Sequence, residues 1–167
     1  MAVEPAPYQP SVRYAAVLRL LQAADTLWSA SRDFFARWDL SPSEFNVLNV
    51  LDGREEGLSQ TELSRELLMH RSNLTGLVDR LEQRRLVVRR DVAGDRRAYC
   101  VVLTAPGTAL LRRVLPHYHQ AAEAVAAHLS PARATELERD LQGIVENARL
   151  VAAGEGEKKE KPIRRRP

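Results

Sequence analysis

Residues 58–104 read LSQTELSRELLMHRSNLTGLVDRLEQRRLVVRRDVAGDRRAYCVVLT. Ser59-Gln60-Thr61-Glu62 is an S-x-x-E capping box, so it opens a short helix that carries Leu63 and Leu67 inward. After a tight connection, Leu74, Leu77, Val78 and Leu81 recur on one side of a second helix, from about Arg71 to Arg84. The texture then changes. Leu86-Val87-Val88 and Tyr99-Cys100-Val101-Val102-Leu103 are rich in β-branched residues, and the turn-forming stretch Val92-Ala93-Gly94-Asp95 lies between them. Two short strands around such a stretch make a β-hairpin. A helix, a tight turn, a helix and a hairpin with arginines at its tip form a helix-turn-helix followed by a wing.

Reading outward gives the frame around this unit. Ser41-Pro42-Ser43-Glu44 is another capping box, with proline at the first helical position, and opens a helix through Phe45, Leu48 and Leu51 that stops near Gly53. Upstream, Tyr14, Val17, Leu21, Ala24, Trp28, Phe35 and Trp38 recur at helical spacing. They predict one helix over 11–38, of about 25 residues and about 40 Å. Downstream, Thr104 caps a helix with Leu111, Leu115, Tyr118, Ala122, Val125 and Leu129 as apolar positions. Ser130-Pro131 then starts a last helix, to about Ala153, with Leu137, Leu141, Ile144 and Val145 inward. The expected fold is mainly α with a small β-hairpin wing: a winged helix-turn-helix over about 41–103, flanked by long helices at about 11–38 and 104–153. Residues 1–10, with three prolines, read as an extended lead-in, and 154–167 as a disordered charged tail. The long helices carry more apolar face than a winged helix of about 80 residues can cover, which points to dimerisation.

Composition narrows the function. The 167 residues carry a net charge of +3, all of it in residues 154–167, which also hold every lysine. The body is neutral but unevenly so: residues 1–70 have six arginines against ten acids, and 71–97 have eight against four. A basic stripe on a neutral protein is the electrostatic footprint of a nucleic-acid reader, or else a solvated arginine-rich face. One cysteine excludes an internal disulfide framework and a zinc site built on several thiolates. Neither a basic segment followed by an apolar run at the N-terminus nor a bilayer-length apolar stretch is present, so a soluble, cytoplasmic protein without membrane contact is expected.

Leu58-Ser59-Gln60-Thr61-Glu62-Leu63-Ser64, then Arg71 to Glu82, then Asp95-Arg96-Arg97 ending in Leu103-Thr104, resemble the MarR family of bacterial transcriptional regulators. The likeness covers about residues 11–152 in element order and is sharpest over 58–107. It implies a homodimer of interleaved terminal helices on a pseudo-palindromic operator in double-stranded DNA, and a repressor released by a small-molecule ligand. The residues have their own physical reading. Arg71, Ser72, Asn73 and Thr75 occupy the first turn and a half of their helix, the end that enters a major groove. Asn pairs bidentately with adenine, Arg with guanine, and Ser or Thr with base edges or phosphate. Arg80, and with it Arg84, Arg85, Arg89 and Arg90, are candidates for phosphate contact. By the family's D-x-R wing pattern, Asp95 fixes the hairpin tip while Arg96 or Arg97 enters a minor groove. Two residues depart from the pattern. Arg85 stands where many members have glycine, implying a different helix end or a strained one. Gly76 lies inside a helix, where it either permits close approach to the DNA backbone or to the 59–68 helix, or simply loosens its own.

The resemblance further implies an effector site between the winged helix and the dimerisation helices, often for anionic aromatic compounds. Trp28 and Arg32, one turn apart, could stack on a ring and pair with a carboxylate, with Asn46 and Asn49 adding polar groups; the plainer reading makes Trp28 core and Arg32 solvated. No nucleophile–base pair, carboxylate dyad or metal cluster is legible, so no enzyme, cofactor or metal is expected. Two other readings stay open. One is a winged helix used for protein contacts; the other is a metal-responsive family member using His117 or His119, which are two residues apart and diverge on their helix. Cys100, in the second wing strand, reads as structural.

Overall fold

The computed structural model describes residues 10–92 and 95–154, with side chains at all of these except 92 and 95–98. The lead-in up to residue 9, the turn residues Ala93 and Gly94, and the tail beyond 154 lie outside the described residues. Among the described residues, six helices and three strands follow in the order α1 (Val12–Ala36), α2 (Pro42–Leu51), β1 (Leu58–Ser59), α3 (Gln60–Glu66), α4 (Arg71–Gln83), β2 (Val87–Val92), β3 (Asp95–Leu103), α5 (Ala105–Val125) and α6 (Pro131–Ala152). The chain forms two compact units, divided between Leu115 and Pro116.

Both capping boxes form. The Ser41 hydroxyl accepts from the Glu44 amide at 3.2 Å, and the Glu44 carboxylate accepts from the Ser41 amide at 2.8 Å. Ser59 and Glu62 repeat the exchange at 3.3 and 2.8 Å. The Ser59 hydroxyl and amide, helped by nearby arginines, hold the Glu62 carboxyl below its ordinary 4.5, against a small opposing effect of desolvation. Such caps satisfy amides that the helix leaves without partners, and each is worth about 1 kcal/mol.

The first unit has one core. Leu74, Val78 and Leu81 of α4 pack with Leu63 of α3, with Phe45, Leu48 and Leu51 of α2, with Val87 and Val101 of the sheet, and with Leu111 and Val114 of α5. Phe35, near the end of α1, stacks on Phe45 with ring centroids 4.3 Å apart. The three-stranded antiparallel sheet has the order β1-β3-β2, with Leu58 opposite Val101 and Val87 opposite Leu103. Sequence periodicity does not reveal β1, which is two residues long. It also makes the wing strands too short, because Arg89, Arg90 and Asp91 interrupt the apolar run although their backbone continues the ladder to Val92.

The end of α4 interlocks with the start of α5. Arg85 takes φ +58°, its amide donates to the Glu82 carbonyl at 2.8 Å, and the Leu86 amide donates to the Leu81 carbonyl at 2.9 Å. This is a Schellman motif with arginine in the left-handed position that glycine fills most cheaply. The Arg85 carbonyl accepts from the Thr104 hydroxyl at 2.6 Å, and that hydroxyl accepts from the Gly107 amide at 3.1 Å, so Thr104 caps α5 while gripping α4. Gly107 is required here: a Cβ would stand 2.0 Å from the Leu86 carbonyl oxygen.

The long helices are only partly covered. Phe35 is the one buried residue of α1, while Tyr14, Val17, Leu18, Leu21, Leu27 and Trp28 are exposed. The second unit, the C-terminal part of α5 with α6, has no buried side chain among the described residues. Leu137, Ile144 and Val145, read from the sequence as inward, are exposed and Leu141 only half-buried, because nothing within the second unit covers them among the described residues.

Substituting Arg85→Gly keeps the Schellman hydrogen bonds and removes the left-handed strain, so it is expected to stabilise the protein by about 1 kcal/mol. Gly107→Ala is expected to destabilise it by about 2 kcal/mol through the backbone clash. Urea unfolding of both variants checks the pair of opposite signs.

Candidate nucleic-acid interface

α4 is divided lengthwise. Leu74, Leu77, Val78 and Leu81 are buried, and Arg71, Ser72, Asn73 and Thr75 are exposed in its first turns. By the 3.6-residue period Ser72 faces directly away from the apolar stripe, Asn73 and Thr75 flank it, and Arg71 is exposed because it begins the helix. The exposed set presents a cation, two hydroxyls and an amide, the groups that can pair with base edges.

Two polar links fix this face relative to the wing. In the first, the Tyr99 hydroxyl on β3 donates to the Gln60 side-chain oxygen at 3.1 Å. The Gln60 amide nitrogen, at the start of α3, donates to the Thr75 hydroxyl and reaches the Arg71 carbonyl at 3.4 Å. Thr75 in turn donates to the Arg71 carbonyl at 3.0 Å. Thr75 therefore has its hydroxyl engaged inside the protein, unlike Ser72 and Asn73, for which no side-chain hydrogen bond occurs among the described residues.

The second link is Arg89 of β2. Its guanidinium pairs with Asp79 and Glu82 of α4, its backbone amide donates to the Glu82 carboxylate at 2.9 Å, and it lies 5.2 Å from the centroid of the Tyr99 ring. Partial burial disfavours its charge, but hydrogen bonding with Asp79, Tyr99 and Glu82 outweighs that, and its pKa is raised. Arg89 thus holds the wing strand against α4.

The other arginines divide between partners and solvent. Arg80 pairs with Glu44 at 3.5 Å and Arg84 with Asp39 at 3.1 Å. Arg90 reaches the Glu55 carbonyl at 3.4 Å, and Arg85 is exposed. Asp95 and Arg96-Arg97 begin β3, with Asp95 opposite Val92; their side chains lie outside the described residues. Cys100 is a half-buried free thiol paired in the ladder with Ser59 and Arg90.

A cleft of about 780 Å³ opens beside α1 and α4 in the first unit. Trp28 and Arg32 line it together with Asp39, Glu44, Arg80 and Arg84. Asn46, half-buried, and Asn49, exposed, do not line it. Trp28 is 46% exposed, so it is not core in the single chain. Among the described residues no group of three His, Cys, Asp or Glu is placed to hold a metal ion, and no helix is long and apolar enough to cross a membrane.

The sequence reading missed Gln60 and Tyr99 and did not name the acids that Arg89 pairs with. A signal existed for Arg89 and Tyr99. Arg89 and Tyr99 share the alternation phase of buried Val87 and Val101, so each points inward and needs a polar partner for its tip.

An exposed polar helix start, clamped to a wing and backed by a three-helix core, defines a winged-helix protein of the DNA-binding type. A sequence profile described as MarR family matches residues 38–98. The HTH-type transcriptional regulator PecS of Dickeya dadantii is 33% identical over 114 residues, 67% of this chain and 68% of that protein. The HTH-type transcriptional repressor YetL of Bacillus subtilis is 34% identical over 98 residues, 58% of this chain and 59% of that one, so the match spans little more than half of its length. The crystal structure of Sco3205, a MarR family transcriptional regulator from Streptomyces coelicolor in complex with DNA, superposes with a TM-score of 0.76 at 26% identity, covering 86% of this chain and 92% of that chain. The chain belongs to the MarR family, and it is a DNA-binding transcriptional regulator by that membership.

Removing the Tyr99 hydroxyl (Tyr99→Phe) is expected to lower stability by about 1 kcal/mol, the worth of one ordinary hydrogen bond. Arg89→Met is expected to lower it by about 2 kcal/mol, since it strands Asp79 and Glu82 beside each other. Equilibrium urea unfolding gives both values.

Proposed function

We propose that the protein is a homodimeric repressor that binds a pseudo-palindromic operator and leaves it when a small anionic aromatic molecule binds. The observation that carries this reading is the division of α4: an apolar stripe seated in the core and a free polar start turned to solvent. Arg71 and Asn73 read base edges in the major groove, and Ser72 meets a base edge or the phosphate beside it. Thr75, through Gln60, sets the position of that helix start. Arg80 meets phosphate, and at the wing Asp95 holds the tip while Arg96 or Arg97 enters the flanking minor groove. The exposed apolar positions of α1 and of α6 are what a second copy covers, and two-fold symmetry then sets two α4 helices about one DNA turn (~34 Å) apart. The name of YetL, a repressor, supports repression.

The effector occupies the cleft lined by Trp28 and Arg32. The indole supplies a ring face and the guanidinium a bidentate partner for a carboxylate. Asp39 and Glu44, already paired with Arg84 and Arg80 there, are the acids an anionic ligand competes with. Because Arg80 and Arg84 belong to α4 and its end, drawing them toward a ligand favours a placement of α4 that misfits the operator. The ligand must bind that state more tightly to shift the population.

Two substitutions separate the roles at the interface. Arg97→Ala is expected to weaken binding to all sequences and reduce the slope of log affinity against log salt by about 1. Asn73→Ala is expected to cost about 1–3 kcal/mol at one base position and relax specificity there. Equal, sequence-independent losses from both would contradict the assignment of Asn73 to base readout. For the effector, titration of salicylate-like acids against operator-bound protein is expected to release DNA in the wild type and to lose most of that response in Arg32→Ala.

A further inference from the structure

We propose that the groove between the first turn of α2 and the outer face of α4 seats a phosphodiester of the DNA backbone, with Ser43, Ser72 and Arg80 as donors and Gly76 as the residue that keeps it open. This assignment rests on the DNA-binding reading and adds Ser43 and Gly76 to it. The groove has a volume of about 450 Å³, and its walls include Ser43, Met69, Ser72, Gly76 and Arg80.

Gly76 lies inside α4. An interior glycine destabilises a helix relative to alanine, so it calls for a reason. Packing within the chain does not supply one. A Cβ at position 76 would meet only the Arg80 guanidinium, at an ordinary 3.6 Å, and nothing of α3. Close approach to α3, one of the reasons the sequence allowed, is therefore not what glycine serves. The missing side chain instead leaves the floor of the groove bare.

The walls supply the chemistry. No hydrogen bond engages the Ser43 or Ser72 hydroxyl among the described residues, and both line the groove. Ser43 follows Pro42 at the start of α2, where a backbone amide has no acceptor within the helix. Arg80 has a side chain 57% exposed and holds Glu44 through Nε at 3.5 Å, with its Nη1 beside Gly76. The neighbouring Glu44 carboxylate is occupied by the Ser41 amide and hydroxyl at 2.8 and 2.9 Å. One cation, two free hydroxyls and a bare floor suit a single negative charge on an oxygen-rich group. Asn73 and Gly76 lie one helical turn apart on α4, so a chain whose bases meet Asn73 brings its sugar-phosphate backbone to this groove.

The test uses the full chain and a labelled random-sequence duplex of about 30 base pairs, titrated between about 50 and about 200 mM KCl. Gly76→Ala is expected to raise the melting temperature and yet weaken DNA binding by about tenfold, the effect of losing one charge-assisted contact. Ser43→Ala, at a partly exposed position, is expected to leave the melting temperature unchanged and weaken binding by about fivefold, as for a hydroxyl donor to an anion. Wild-type affinity in both variants, with Arg97→Ala still weakened, overturns the phosphate seat alone. Absence of salt-dependent DNA binding by the wild type overturns the DNA-binding reading and the seat with it.

Discussion

Burial of Leu74, Leu77, Val78 and Leu81 along one side of α4 decides which side of that helix faces outward, and each DNA contact proposed for α4 depends on that choice. Full burial of a Leu or Val side chain contributes about 1.5–3 kcal/mol, so the stripe as a whole far outweighs any single surface ion pair. A rotation of α4 by one residue, about 100°, would bring Asn73 or Thr75 into the core and leave leucine in its place at the surface. The apolar stripe therefore fixes the rotation of the helix, while the polar links fix its tilt and its distance from the wing.

Those links sit at the two ends of α4. Near its start, Gln60 joins Thr75 to Tyr99; toward its end, Arg89 joins Asp79 and Glu82 to the same tyrosine ring. Tyr99 is thus common to both. A wing strand and a helix that share such a residue move together, as the proposed entry of the two into adjacent grooves would require. At the far end, the Thr104 hydroxyl bridges the last turn of α4 and the first of α5. That bridge gives a physical reason for threonine immediately after the wing, independent of any family pattern.

The sequence was informative where a rule is local. The S-x-x-E boxes at Ser41 and Ser59, the Ser130 cap and the apolar stripe of α4 each depend on residues within a turn or two, and each forms as expected. It was less informative where a partner lies far along the chain. β1 exists only because Leu58 and Ser59 find Val101 and Cys100, about forty residues on. Arg89 could be placed inward by alternation, but its acids could not be chosen without the fold. The same limit applies to the cleft: Trp28 and Arg32 reach it, whereas Asn46 and Asn49, equally polar in the sequence, sit elsewhere on α2. The Schellman turn at Arg85 shows a local rule met by an unfavoured residue, since the hydrogen bonds of the turn and the Thr104 bridge hold arginine in a conformation that glycine adopts more easily.

Under the proposed function, the exposed apolar positions of α1 and α6 tie the fold to the symmetry of its target. Leu18, Leu21, Ile144 and Val145 are exposed, and clustered apolar exposure marks an interaction surface. The second copy proposed to cover them would make the DNA reader two-fold, and a two-fold reader selects a two-fold sequence. In vitro selection from a pool of random duplexes, followed by sequencing, measures that directly. The account predicts enrichment of an inverted repeat with half-site centres about ten base pairs apart, or a whole-turn multiple of that spacing. Enrichment of a single unrepeated motif, or none at all, would contradict it.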